Sequence, residues 1–336
     1  MKAVYFEKNG GLDVLKYGDI QIPKPKEGEA LVRVRACSLN RLDIWLREKR
    51  VVPFPHVLGS DVSGVIEQIN GKSILKTGDE VVVNPSIPCK TCFGCKNKKD
   101  CELVKIFGAK TWGGYAEYVV APIEQLYQKP KNLSFIEASA FPLTFLTAWN
   151  MLVTKAKLKK GETVFVWGAS GGLGIAAIQL AKYLGAKVIA AAKSEDTASK
   201  LREIGADYTI IYTKEKIEDS VKKLTENQGV DIVFESVGEK TWNTSLSILK
   251  THGRLVIAGT TSGDIGTQDL SNIYVRQLSI FGARMGTKHE FEQVLDLFKS
   301  VQLKPVIDKV FPLKDAAKAH QRMEEGKHIG KIVLEI

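Results

Sequence analysis

Four cysteines stand within thirteen residues, as Cys89-x-x-Cys92-x-x-Cys95-x5-Cys101, and the fifth, Cys37, stands apart. Zinc takes four thiolate sulfurs tetrahedrally at about 2.3 Å, and such a closed site is structural because no position is left for substrate. In a chain of this size the cluster points to metal more than to disulfides. Lys90, Lys96, Lys98 and Lys99 would offset part of the tetrathiolate charge. The competing reading is a lobe that is reduced and empty, or disulfide-bonded as in hyperthermophile interiors.

A second chemistry begins at Thr163-Val164-Phe165-Val166-Trp167, which runs into Gly168-Ala169-Ser170-Gly171-Gly172-Leu173-Gly174. Strand, glycine turn and helix, followed by a second strand to Ala192, form the arrangement that brings backbone close to a pyrophosphate at a helix N-terminus. Ala169 takes the first glycine position of the Gly-x-Gly-x-x-Gly pattern, and Gly171 and Gly174 take the others. NAD-binding versions end the second strand with an acid for the ribose 2′-OH. Here that tip reads Ala192-Lys193-Ser194, which suits a 2′-phosphate through charge and hydrogen bonding. NADPH is therefore the expected cofactor and NADH the alternative; Lys193 as a solvated surface lysine is the competing reading.

These groups need a scaffold, and the hydrophobic pattern supplies one. Up to about residue 125 the chain reads as strands: Leu31 to Cys37, Val62 to Ile69, Glu80 to Val83 and Tyr115 to Val120. Phe135 to Val153 carries helical periodicity with a break at Pro142. Strands then alternate with helices: Thr163 to Trp167, Lys187 to Ala192, Tyr208 to Ile211, Ile232 to Glu235 and Leu255 to Ala258. That alternation predicts βαβ units and a parallel sheet. Glu290 to Ser300 and Asp315 to Glu325 read as amphipathic helices, and Ile329 to Ile336 as a last strand.

Composition narrows the function classes. A chain of 336 residues, 44% of them hydrophobic, is expected to form about two packed domains. The net charge of +10 comes from 48 Lys and Arg, of which ten are Arg. Scattered Lys among abundant Glu fits a solvated surface better than a nucleic-acid face. No run approaches the ~18 apolar residues of a membrane span. The start, Met1 to Glu7, reads as a strand without a signal-peptide core, so no nucleic-acid or membrane partner and a cytoplasmic location are expected.

Further motifs join these: Gly78-Asp79-Glu80-Val81, Gly114-Tyr115-Ala116-Glu117-Tyr118, Pro142-Leu143-Thr144-Phe145-Leu146-Thr147-Ala148-Trp149, Phe311-Pro312-Leu313 and Gly330-Lys331-Ile332-Val333-Leu334. Together they resemble the medium-chain dehydrogenase/reductase superfamily over nearly the whole chain, and within it the zinc-type alcohol dehydrogenase and quinone oxidoreductase branches. The resemblance implies an α/β fold: a doubly wound Rossmann domain inserted in a β-rich GroES-like catalytic domain. Residues 1–144 and 283–336 would form the catalytic domain, with a zinc lobe at 85–108, and residues 145–282 the dinucleotide-binding domain. Thr147, Ser236, Val237, Gly238, Gly259, Thr260 and Lys331 are implied near the cofactor, and Tyr212 beside the adenosine 2′-phosphate. The lysine that quinone oxidoreductases place on the following helix is Thr197 here, which leaves the role to Lys193 or Lys200. Relatives pair subunits along the strand around Arg276 to Gly282, implying a homodimer or homotetramer.

The departures from the pattern matter most. Zinc-dependent relatives hold a catalytic zinc with a Cys, the His of Gly-His-Glu, and a third ligand; the matching positions here are Asn40, Ser60 and Leu143. An amide, a hydroxyl and a leucine cannot replace thiolate and imidazole for Zn²⁺. The expectation is an NAD(P)H-dependent oxidoreductase with one structural zinc, passing hydride to a small quinone, enone or related carbonyl. Asn40 would donate a hydrogen bond to a developing enolate oxygen, or else only cap local backbone. Asp43 and Trp45 are candidates for the cleft lining. The alternatives are an alcohol dehydrogenase with an irregular zinc site built from Cys37, His56 and Asp61, and a non-enzymatic NADPH-binding protein. In the bland reading Cys37 is a core residue and His56 a loop histidine.

Overall fold

The structure, a computed structural model, describes residues 1–97, 101–300 and 303–336. Lys98 and Lys99, expected beside the cysteines, lie outside the described residues. The chain falls into two units, Met1–Leu143 with Gly286–Ile336, and Thr144–Met285.

The first unit is β-rich: β1 (Lys2–Phe6), β2 (Lys16–Asp19), β3 (Glu29–Ser38), β4 (His56–Val57), β5 (Asp61–Asn70), β6 (Glu80–Val83), β7 (Ser86–Ile87), β8 (Lys105–Ile106), β9 (Tyr118–Pro122) and β10 (Leu126–Gln128). β3 is its hub. Ala30, Val32, Val34 and Ala36 turn inward while Arg33 and Arg35 stay exposed, the period-two pattern of a half-buried strand. The helices here are α1 (Arg41–Glu48), α2 (Phe93–Lys96) and α3 (Phe135–Ser139); α4 (Pro142–Trp149) starts at the end of this unit and runs on into the second, where a π-turn at Asn150–Lys155 follows it. Pro142 opens α4, where its missing N–H costs nothing.

The second unit alternates strand and helix: β11 (Thr163–Val166), α5 (Gly172–Tyr183), β12 (Lys187–Ala192), α6 (Glu195–Ile204), β13 (Tyr208–Ile211), α7 (Ile217–Leu224), β14 (Val230–Glu235), α8 (Trp242–Ser247), β15 (Leu249–Ile257), α9 (Leu270–Val275) and β16 (Ser279–Gly282). Its sheet is parallel in the order β13-β12-β11-β14-β15-β16. Val164, Phe165 and Val166 are all fully buried, as a parallel strand covered on both faces requires. Strand order reverses between β11 and β14, so the carboxyl ends of these strands form a topological switch point. The strand expected from Arg276 begins only at Ser279. Arg276 instead donates to the carbonyls of Leu246 and Leu249 and to Asn272 Oδ1, capping the turn after α8.

The chain then returns to the first unit with α10 (Lys288–Lys299), β17 (Ile307–Pro312), α11 (Ala316–Glu324) and β18 (Lys331–Glu335). β18 pairs antiparallel with β3, with Val333 opposite Ser38, and β5 pairs on the other side, with Asp61 opposite Ser38. That double register brings Lys331, Asp61 and the residues after Ser38 to one place. Among the described residues no helix is long and apolar enough to cross a membrane.

Candidate functional site

The four cysteine sulfurs lie within 4.8 Å of one another, with Cys89 to Cys95 and Cys92 to Cys101 at 3.9 Å. Sulfurs about 2.3 Å from a zinc form a tetrahedron with edges of about 3.8 Å, so these residues fit a structural zinc. The separations are well beyond the ~2.05 Å of a disulfide. Backbone N–H groups turn inward on the sulfurs: Cys89 N donates to Cys101 Sγ at 3.2 Å and Cys92 N to Cys89 Sγ at 3.3 Å. N–H groups of Thr91 and Cys92 hold the Cys89 thiol down to about 6.

In the second unit the tight turn falls on Gly168, at φ +59. Ala169 needs no positive φ and is 1% exposed, so the alanine in the motif is no cost; the turn glycine is one residue earlier than the pattern suggests. A Cβ on Gly174 would lie 2.3 Å from Gly168 O, whereas one on Gly171 would meet only that oxygen, at 3.5 Å. Gly174 therefore packs helix on strand, and Gly171 leaves open space before an α5 end that no side chain caps. Ser170, Gly172 and Leu173 are half-buried around it.

At the tip of β12, Lys193 is exposed, while the Ser194 hydroxyl caps α6 by accepting from Thr197 N at 3.4 Å. Tyr212, at the end of β13, is half exposed with its ring 6.4 Å from Trp167. The loop Ser236, Val237, Gly238 hangs on a residue that sequence reasoning missed. Glu235 is fully buried; Oε1 accepts from Val237 N at 2.7 Å and Gly238 N at 3.1 Å, and Oε2 from Thr241 at 2.8 Å and Ser245 at 2.5 Å. Four donors satisfy a carboxylate that burial would otherwise penalise. Gly259 sits at φ +113, Thr260 donates to Asp264, and Thr147 is buried with its hydroxyl 3.9 Å from Met285 Sδ.

The first unit gathers Asn40, Asp61, Lys331 and Leu143. Lys331 Nζ donates to Leu39 O at 2.7 Å, Asn40 Oδ1 at 2.7 Å and Asp61 Oδ2 at 3.1 Å. Asp61 Oδ2 also accepts from Asn40 Nδ2 at 2.9 Å and Ser38 Oγ at 3.3 Å, and Oδ1 accepts from Leu143 N at 2.8 Å. Exposure is 0% for Asp61, 5% for the Lys331 side chain and 6% for Asn40. Ser60 is fully buried and its hydroxyl has no partner among the described residues. Asn40, Ser60 and Leu143 do not fit a catalytic zinc, and the oxygens nearest to serving one already bind an ammonium.

A second buried chain lies behind this cluster. Arg47 Nη1 is 3.2 Å from His320 Nδ1, and His320 Nε2 is 3.2 Å from the Tyr115 hydroxyl. A guanidinium only donates, so Nδ1 accepts and Nε2 carries the proton toward Tyr115. Burial, with Arg47 adding to it, holds His320 down to about 3. Asp43 follows, its carboxylate accepting from Asn40 N at 2.7 Å and Gly59 N at 3.1 Å. Burial pushes Asp43 up to about 7 against the pull of the Asn40 N–H and Lys331. Asp43 is thus a buried anchor of α1; Trp45 is half-buried, with Arg50 over its ring.

The irregular zinc site does not assemble. Cys37 is fully buried in the hydrophobic core. His56 is a strand residue, not a loop one: it is 1% exposed in β4, with Nε2 at 2.9 Å from Gly108 O. Asp61 is spent on Lys331, Asn40, Ser38 and Leu143. Among the described residues the ligand cluster found is the four cysteines.

Residues 26–131 match the alcohol dehydrogenase GroES-like domain and residues 172–300 the zinc-binding dehydrogenase family. The quinone oxidoreductase of Pongo abelii is 32% identical over 99% of this chain and 97% of its own length. A crystal structure of an NAD-dependent alcohol dehydrogenase is 42% identical with a TM-score of 0.96, covering all of both chains. A cobalt- and zinc-bound thermostable alcohol dehydrogenase from Pyrobaculum aerophilum is 33% identical with a TM-score of 0.90, covering 100% of this chain and 99% of that one.

Proposed function

The chain belongs to the medium-chain dehydrogenase/reductase superfamily and is an NAD(P)-dependent oxidoreductase, and from that premise we propose that it reduces quinones, enones or related electron-poor carbonyls with NADPH, holding one structural zinc and no catalytic zinc. The observation that carries this reading is the exchange at the metal positions: Asn40, Ser60 and Leu143 stand there, and Lys331 is bonded to Asn40 and Asp61. A bound nicotinamide dinucleotide supplies the hydride. A quinone or enone is already electrophilic, so it needs less help than a plain ketone. Asn40 gives that help by donating an amide hydrogen to the oxygen that gains charge.

The glycine turn, with Ala169 to Gly174, takes the pyrophosphate, and the loop Ser236 to Gly238 with Gly259, Thr260 and Thr147 lines the rest of the cofactor site. Lys193 answers the 2′-phosphate, aided by Tyr212, because no carboxylate ends β12. Ser194 contributes less, since its hydroxyl already caps α6. A second copy pairs along β16, an edge strand with Ile280, Tyr274 and Val275 exposed beside it.

The alcohol dehydrogenase named for the 42% identical structure is the second reading. Zinc analysis with parallel turnover decides between the two. One zinc per chain, and NADPH oxidation on a panel of small quinones and enones, is expected. Two zincs per chain with turnover of simple alcohols overturns the proposal.

A further inference from the structure

We propose that Lys331 and Asp61 lock the Asn40 amide in one orientation, so that Asn40 meets substrate only as a hydrogen-bond donor and the site takes acceptors that develop an oxyanion. An ammonium has donors and no acceptor, so its partner on Asn40, 2.7 Å away, is the carbonyl oxygen. A carboxylate only accepts, so the Asn40 atom 2.9 Å from Asp61 is the amide nitrogen. Both neighbours dictate the same orientation. Flipping the amide would set NH₂ against NH₃⁺ and C=O against carboxylate, losing two charge-assisted bonds.

The free valences then follow by elimination. All three Lys331 hydrogens are spent, on Leu39, Asn40 and Asp61. Asp61 takes four donors and is fully buried. Asn40 Nδ2 uses one hydrogen on Asp61, and the other has no partner among the described residues. Of the hydrogens on Lys331 and the Asn40 amide, one N–H is therefore left over, made more acidic by the ammonium pulling on the carbonyl end of the same amide. A bound nicotinamide would give up the hydride and be oxidised; as the acceptor carbon takes it, the acceptor's electron pair moves to oxygen, and that oxygen would meet the Asn40 N–H until water protonates it. Lys331 is thus a positioning residue for Asn40, distinct from the cofactor contact that the superfamily resemblance implies for it.

The inference rests on the proposed reductase reading, and two arms keep their failures apart. In steady-state kinetics with a quinone or enone that wild type reduces, Asn40→Ala lowers kcat on the order of 10²-fold, the scale of one lost oxyanion donor. Lys331→Met lowers kcat similarly, leaves the cofactor Kd from fluorescence titration unchanged, and adds less than about threefold in the Asn40→Ala background; Lys331→Arg recovers part of the loss. A raised cofactor Kd with kcat held, or additive losses, overturns the lock. If Lys331→Met does not fold, Asn40→Asp carries the test, because it swaps the outward donor for an acceptor; a wild-type kcat then overturns the proposal. The second arm is independent of turnover: in ¹⁵N-asparagine-labelled protein, the side-chain amide pair absent from Asn40→Ala shifts in Lys331→Met or Lys331→Arg. An unmoved pair refutes the lock, whereas a shifted pair with no quinone or enone reduced upholds the lock and refutes the reductase reading.

Discussion

The cysteine lobe and the cluster around Lys331 hold their charges in opposite ways. The lobe gathers four sulfurs from thirteen consecutive positions, with no cation among the ligand groups to neutralise them. The Lys331 cluster draws on Ser38 to Asn40, Asp61, Leu143 and Lys331, which lies 292 residues after Leu39, and supplies its own cation. A tetrathiolate needs a metal to be stable; a buried carboxylate already paired with an ammonium and three further donors does not. One group of side chains thus fits a metal ion, and the other is satisfied by a hydrogen-bonded ion pair.

The sharpest way to break this contrast is to remove one cysteine. Cys92→Ser should take zinc from one per chain to none, and loosen the lobe to proteolysis near residues 89–101 while cofactor titration stays unchanged. Zinc retained by this variant, measured by elemental analysis, would break the assignment.

Removing one partner of the ion pair should cost less than the metal but more than most substitutions. Asp61→Leu leaves the Lys331 ammonium buried against Asn40 and Leu39, and a loss of about 3–5 kcal/mol is expected. The double variant Asp61→Leu/Lys331→Met should regain a large part of it. Urea unfolding reads both; a single-variant loss under about 1 kcal/mol means that the pair is not buried as described.

Acid sensitivity sharpens the picture of the chain behind the cluster. His320 is held down to about 3, below the ordinary value of about 6.5. The unfolded state takes the proton first, so this group's stabilisation is present above pH 6.5 and is lost as pH falls, by about 1.4 kcal/mol per unit. His320→Gln should remove that loss, narrowing its stability deficit to wild type by about 2 kcal/mol between pH 6.5 and 5. Asp43, held up near 7, works the other way: its contribution is full below about 3.9 and fades as pH rises through 7. A His320→Gln deficit independent of pH in unfolding curves would contradict the neutral buried imidazole.

The smallest effect is expected at the cofactor end. Ala192→Asp restores a carboxylate beside the ribose and repels a 2′-phosphate, shifting kcat/KM toward NADH about tenfold, or ~1.4 kcal/mol. Wild type already preferring NADH would reverse the reading of Lys193 and make Thr197 the better guide.

Legibility in the sequence followed the range of the interactions. The parallel sheet was readable because β11 to β15 alternate with helices at regular spacing. The helix α1 was not, since its start depends on Asp43 accepting from Asn40 N and its burial on Arg47 reaching His320, 273 residues away. The turn glycine was misplaced by one residue because a consensus spacing does not carry φ angles. Glu235 gave no signal at all, because an acid at a strand end looks solvated until its four donors fold around it.

The sequence by itself determined the βαβ order, the glycine turn, the four clustered cysteines and the amide, hydroxyl and leucine at positions 40, 60 and 143. Each is a matter of residue type at short spacing, which local geometry translates directly into structure. Tertiary structure alone decided what surrounds Asn40. The pairing of β3 with both β5 and β18 sets Lys331 and Asp61 3.1 Å apart. Desolvation then makes each the other's necessary partner, and no spacing along the chain encodes a distance between strands.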